Sequence, residues 1–314
     1  TLTYTTAATY SNRAKVQSTA DAYTDSAYSS TDSIVISSSW AFQGSNYGYY
    51  AGGRTVSGST YRNTIDRVSY SSDGDATDWA DLLTAKAYAA EASDSSNAFS
   101  SGGSIGAATA TIDKYSLLST STATDWGDLT VARHQVGGHS TSDYGYAAGN
   151  HANNVIDRWS MSSSGSATDV GQLSAARQIT SSHSTPDYAY SSGGENGGFR
   201  NVIDRFAFAS TSDASDVGDL STTMANGGGA SSTTDGYTAG KEYDGNIINK
   251  FAFASSSSGS DWADLSVGRS YPAGTSSTTH GYMAGGRVDF DLIDKFAFGS
   301  GSNATSVGNL TIDR

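Results

Sequence analysis

The stretches Asn201-Val-Ile-Asp-Arg-Phe-Ala-Phe-Ala209, Asp216-Val-Gly-Asp-Leu220 and Asp235-Gly-Tyr-Thr-Ala-Gly240 decide the fold, because their pattern returns at fixed intervals. An Ile slot recurs at Ile65, Ile112, Ile156, Ile203, Ile248 and Ile293. A Leu slot follows 17 residues later each time, at Leu82, Leu129, Leu173, Leu220, Leu265 and Leu310. An aromatic follows 17 residues after each of the first five, at Phe99, Tyr146, Tyr190, Tyr237 and Tyr282, and Tyr49 opens the series. A tandem unit of about 45 residues implies a propeller, solenoid or array whose units share one core.

Within the clearest unit, residues 202–208 alternate large apolar with polar or small side chains, as a half-buried strand does. Residues 217–224 read as a second strand, the Gly-Ser segment through Ser232 as a weaker third, and residues 236–240 as a fourth. Four strands per unit without helical periodicity predict an all-β propeller with four-stranded blades, a single domain over 1–314 with six clear repeats in 37–314. Residues 1–36 match the period in length. Tyr4-Thr-Thr-Ala-Ala8 copies the aromatic phase, while Lys15 and Asp32 stand in the Ile and Leu slots. The main expectation is therefore seven blades, the first a decayed repeat; the alternative is six blades with an N-terminal arm. On the seven-blade reading one blade lacks a strand, to be supplied by chain beyond Arg314 or by a neighbouring chain.

Composition narrows the function. Net charge is −13, from 31 acidic and 18 basic residues, which disfavours nucleic acid and anionic membranes as partners. There is no cysteine, so disulfides, thiolate metal sites and cysteine nucleophiles are excluded. No apolar run approaches the ~20 residues of a membrane-spanning helix.

The order Arg133, Gly138, Tyr146-Ala-Ala-Gly149, Ile156-Asp-Arg-Trp159 and Val170-Gly-Gln-Leu173 resembles the repeat of kelch-type β-propellers. The resemblance covers about residues 34–314 and implies blades arranged in a ring. Departures are clear: Gly-Gly is complete only at 52–53, 102–103, 193–194 and 285–286, and the Trp slot varies between Trp79, Trp126, Trp262 and Val170, Val217, Val307. The copper oxidases that share the kelch fold need a cross-linked cysteine, which this chain lacks. The consensus wording of the repeats, Asn-x-Ile-Asp-Lys-Phe with Ala-Thr-Asp-Val-Gly-Asp-Leu, is also similar to repeat proteins of marine bacteriophages and their hosts. That likeness implies a virion structural or appendage protein.

Motifs with chemical potential read mostly as scaffold. The pairs Asp78/Asp81, Asp125/Asp128, Asp216/Asp219 and Asp261/Asp264 suit turns better than calcium, which needs six to eight oxygens. The Ile-Asp-Lys/Arg pairs, from Asp66-Arg67 to Asp294-Lys295 with Asn249-Lys250 as the exception, recur in every unit and point to contacts between blades. His139 and His183 share a repeat slot, but two imidazoles lack the further ligands a metal site requires. No Gly-x-Ser-x-Gly, P-loop or His-Glu-x-x-His motif occurs. No catalytic residue, metal or cofactor is therefore expected.

The segment between each glycine end and the next Ile alone varies in length. It carries Tyr61, Arg62, Phe199, Arg200, Tyr243, Arg287 and Phe290, residue types enriched at recognition surfaces. These seven are the candidate binding face. The expected partners are other virion proteins or a host surface glycan or protein, with a homo-oligomer open. The expected location is an extracellular virion, with a secreted or cell-surface adhesion module and a glycan hydrolase or lyase as alternatives.

Overall fold

The structure, a computed structural model, describes residues 8–10, 34–36, 46–55, 60–255, 258–287 and 291–314. The chain divides into two compact units, Thr1–Trp40 and Ala41–Arg314. In the first, β1 (Ala8–Tyr10) pairs antiparallel with β2 (Ile34–Ile36), Ala8 opposite Ile36.

The second unit is a β-propeller of six blades, each an antiparallel meander. Blade one holds β3 (Tyr47–Ala51), β4 (Thr64–Ser69) and β5 (Thr77–Asp81). Blade two is β6 (Ala90–Ser93), β7 (Asn97–Ser101), β8 (Thr111–Ser116) and β9 (Thr124–Asp128). Blade three is β10 (Gly137–Ser140), β11 (Tyr144–Ala148), β12 (Val155–Ser160) and β13 (Thr168–Gln172). Blade four is β14 (Ser181–Ser184), β15 (Tyr188–Ser192), β16 (Val202–Ala207) and β17 (Ser215–Asp219). Blade five is β18 (Gly228–Ser231), β19 (Asp235–Lys241), β20 (Gly245–Ala252) and β21 (Ser260–Asp264). Blade six is β22 (Ala273–Ser276), β23 (His280–Ala284), β24 (Leu292–Ala297) and β25 (Thr305–Asn309). No helix occurs among the described residues.

Among the described residues six clusters form the core, each between consecutive blades. The Ile, Leu and aromatic slots of one blade meet the second and third strands of the next. Thus Tyr190, Ile203 and Leu220 pack on Phe251 and Phe253, while Tyr146, Ile156 and Leu173 pack on Ala189, Phe206 and Phe208. The sixth cluster joins Tyr282, Ile293 and Leu310 of the last blade to Tyr50, Val68 and Ala76 of the first, and so closes the ring. Each Ile or Leu buried in this way contributes roughly 1.5–3 kcal/mol. Tyrosine hydroxyls reinforce the same junctions: Tyr49 Oη donates to Leu117 O at 3.0 Å and Tyr190 Oη to Phe253 O at 3.0 Å.

Closure at six corrects the expected seventh blade. Residues 1–36 have the length of a repeat but not the Ile and Leu that bind one blade to the next, and β1 and β2 pair with each other in a two-stranded sheet. Blade one is three-stranded among the described residues. In the other blades the inner strand begins seven residues before the second, a register that in blade one falls on residues 40–43, outside those described. The Asp-x-x-Asp pairs also need correcting. Asp78 and Asp81 lie within β5, Asp125 and Asp128 within β9, Asp216 and Asp219 within β17, and Asp261 and Asp264 within β21, so they mark outer strands and not turns.

The repeated Asp after each Ile is a junction staple. Buried Asp66, Asp157, Asp204 and Asp294 pair with Arg314, Arg133, Arg177 and Arg269 at 2.7, 3.0, 2.8 and 3.0 Å; each Arg lies four residues after a Leu slot. The carboxylate also caps the link: Thr130 N and Oγ1 donate to Asp157 at 2.9 and 2.7 Å. In blade two Lys86 takes the Arg role, 3.5 Å from Asp113; burial pushes the Lys86 ammonium down and the Asp113 carboxyl up. The cation after each Asp turns instead to an aromatic. Lys114 lies 4.0 Å over Trp126 and Lys250 4.2 Å over Trp262. Where Val replaces Trp, Arg158 lies 4.8 Å over Tyr144 and Arg205 4.9 Å over Tyr188.

Candidate binding face and axial pocket

Loops between second and third strands share one end of the ring with the links that carry the chain between blades. Main-chain contacts join them: Ala87 bridges Ser104, Gln178 bridges Glu195, Glu242 N donates to Ala225 O at 2.9 Å and Arg287 N to Ser270 O at 2.9 Å. The candidate residues differ in their surroundings. Phe199 and Tyr243, from the loops of blades four and five, meet edge to face with centroids 5.7 Å apart. Tyr243 is 86% exposed and left-handed, at φ 58°. Arg200 is exposed, its Nη2 donating to Asn196 O at 3.3 Å. Tyr61 and Arg62 are half-buried in scaffold contacts, the Tyr61 hydroxyl 3.0 Å from Ser104 Oγ and Arg62 3.9 Å from Asp313. Arg287 is exposed and lines the axial pocket described next. Phe290 lies outside the described residues.

Where the links turn into the inner strands, a cavity of about 490 Å³ opens at the ring axis. Its rim repeats one unusual backbone state. Tyr88, Gln135, Ile179, Asn226 and Tyr271, each six residues after a Leu slot, have φ of 62°, 60°, 59°, 62° and 63°. Such φ values are uncommon outside glycine, and for β-branched Ile179 they are a true outlier, so the fold holds these side chains against local preference. Tyr88 and Tyr271 touch, ring centroids 6.0 Å apart.

Two buried polar atoms of the pocket lining, Tyr50 Oη and Asn226 Oδ1, have no hydrogen-bond partner; their residues are 4% and 8% exposed. Glu91 also lines the pocket, and enclosure pushes its carboxyl up to about 8, against the pull of Ser100 and Lys86. Water in the pocket reaches Glu91, which is exposed there, and screens part of that effect.

Sequence reasoning missed this rim. One signal was available: the slot holds Tyr, Gln, Ile, Asn and Tyr in successive repeats, while the Leu slot six residues earlier never changes.

The shared-slot histidines belong to the core. His139 and His183 are fully buried, each with Nδ1 at a main-chain oxygen, His183 O at 3.2 Å and Ala230 O at 3.0 Å. A carbonyl only accepts, so Nδ1 carries the proton and Nε2 accepts from Ser191 Oγ at 3.0 Å or Ser192 Oγ at 2.9 Å. Burial pushes these imidazoles down to about 3 and about 4, leaving them neutral near pH 7. Among the described residues, no group of three or more His, Cys, Asp or Glu is placed to hold a metal ion. No described helix is long and apolar enough to cross a membrane. Compared with known proteins, the chain matches no family model and no curated relative.

Proposed function

We propose that the chain is a non-catalytic binding module working through the loop end of its propeller. The observation that carries this reading is the contact between Phe199 and Tyr243. These aromatics come from different blades and sit on loops of variable length, with Tyr243 almost wholly in water. Apolar rings held out in this way offer contact area to a partner at low entropic cost. The phage-like wording of the repeats supports a place on a virion, as an appendage or surface protein touching other virion proteins or a host glycan or protein. A secreted or cell-surface adhesion module would use the same face. Alanine at both Phe199 and Tyr243 should weaken attachment to particle or host cell at least tenfold while leaving the melting temperature nearly unchanged. Attachment that survives this change but fails when Asp125 and Asp128 are altered would move the working surface to the outer strands.

A second reading, a glycan-active enzyme, draws on Glu91, whose raised carboxyl could donate a proton near pH 7. Glycoside hydrolysis commonly needs two carboxyl groups flanking the bond. Glu91 is the only carboxyl residue lining the pocket among the described residues, which favours binding over cleavage.

A further inference from the structure

The geometry points to the axial pocket as a binding site for a neutral mono- or disaccharide, held between the Tyr88–Tyr271 pair and the unpartnered polar atoms Tyr50 Oη and Asn226 Oδ1. This deepens the binding reading by naming a ligand class and a second locus, and so rests on it.

Volume sets the first limit. About 490 Å³ lies within the range of small-molecule sites and suits one or two sugar rings. Hydrogen bonding sets the second. A buried polar atom without a partner costs about 1–3 kcal/mol, and two such atoms belong to residues that line one cavity. Asn226 Oδ1 accepts, and Tyr50 Oη both donates and accepts, so the ligand must supply donors and acceptors together. A sugar hydroxyl is both at once. The aromatic pair sets the third: sugar rings present C–H faces, and a tyrosine ring offers the apolar surface they cover.

Charge argues for a neutral ring. The protein carries a net −13, so an acidic sugar would approach a surface of like charge. Arg314, the deepest cation of the lining, is already committed to Asp66 at 2.7 Å and to the Thr64 and Tyr50 carbonyls. The left-handed rim supplies the independent backbone evidence. Five residues of four types are forced into one strained state around one opening, which is where folds retain strain for function.

Tyr50→Phe removes only the unpartnered hydroxyl, so the fold should melt at or above the parental temperature. Tyr88→Ala removes one aromatic wall. Saturation-transfer NMR with glucose, galactose, N-acetylglucosamine, maltose and lactose, and with sialic acid as the acidic probe, should show at least one neutral sugar binding the parent. Titration of that sugar should show about tenfold weaker binding to Tyr50→Phe and to Tyr88→Ala. The Phe199→Ala/Tyr243→Ala protein should bind it as the parent does. Silence from every neutral sugar, a response from sialic acid alone, or unchanged affinity in both pocket variants overturns the proposal. If attachment to cells or particles still depends on Phe199 and Tyr243 in any of those cases, the loop-face reading stands without it.

Discussion

Met224 and Asn249 occupy, at one junction, the slots that hold a cation and Asp at every other. Both are buried, 1% and 0% exposed, and Asn249 keeps the capping role by accepting from Ser221 N at 3.4 Å. Losing the two charges together is the expected pattern if the pair is one unit, since a lone buried carboxylate is far more costly than a neutral pair. Asn249→Asp alone should cost about 3 kcal/mol, and adding Met224→Arg should restore most of it. A double variant no more stable than the single one in urea unfolding would show that pairing does not set the cost. His139 and His183 make a second prediction. Their folded values of about 3 and about 4 lie below the ordinary ~6.5 of the unfolded chain. Below pH 6.5 the unfolded state therefore binds protons that the folded state refuses. Stability should fall as pH drops from 6.5 towards 4, by up to about 1.4 kcal/mol per pH unit for each histidine. Urea midpoints from pH 7 to 4.5 should fall more steeply in the parent than in a His139→Gln/His183→Gln variant; parallel curves would refute the assignment.

At the scale of the strand, what was legible follows from what repeats. Ile203, Leu220 and Tyr190 could be read as core because every junction uses the same three contacts, so their spacing cannot drift. The third strand was placed almost to the residue, 202–208 expected against Val202–Ala207. The outer strand was expected at 217–224 and lies at Ser215–Asp219, displaced because Asp and Gly favour turns locally, while here they lie on an edge. β9, Thr124–Asp128, shows why the edge wants them. Asp125 and Asp128 are exposed, and charge on a short edge strand blocks pairing with another sheet. The axial rim was illegible for a different reason: four residue types share one left-handed state, so conformation there comes from the ring and not from local preference. If the acidic edge acts as a guard, Asp125→Val/Asp128→Val should keep its circular dichroism and melting temperature within a few degrees but form soluble oligomers. Light scattering behind size exclusion would read this, and a strictly monodisperse double variant matching the parent would remove the guard role.

Among the described residues, the six junctions share the same Ile, Leu and aromatic packing but do not close with equal ease. Thr130 and Asp157, at one junction, stand 27 residues apart; Thr311 and Asp66, at the closing junction, stand 245 apart and make the same two bonds. Loop-closure entropy grows with the logarithm of separation, so the closing junction costs roughly 2 kcal/mol more for equal contacts. It is therefore the place where the ring should open first. Arg314 secures it, bonding Asp66 Oδ2 at 2.7 Å and the Thr64 carbonyl at 3.0 Å, while Leu310 fills the cluster beneath. Asp66→Asn and Asp157→Asn each remove one staple and should lower the melting temperature alike. Hydrogen exchange should separate them. In Asp66→Asn the amides of β3–β5 and β22–β25 should lose protection while blades three and four keep theirs, because opening there leaves the covalently linked junctions intact. In Asp157→Asn, blade one and blade six should remain protected relative to blades two and three. Equal, ring-wide loss of protection in both variants would mean that the propeller opens as one cooperative unit, with no weak seam at its closure.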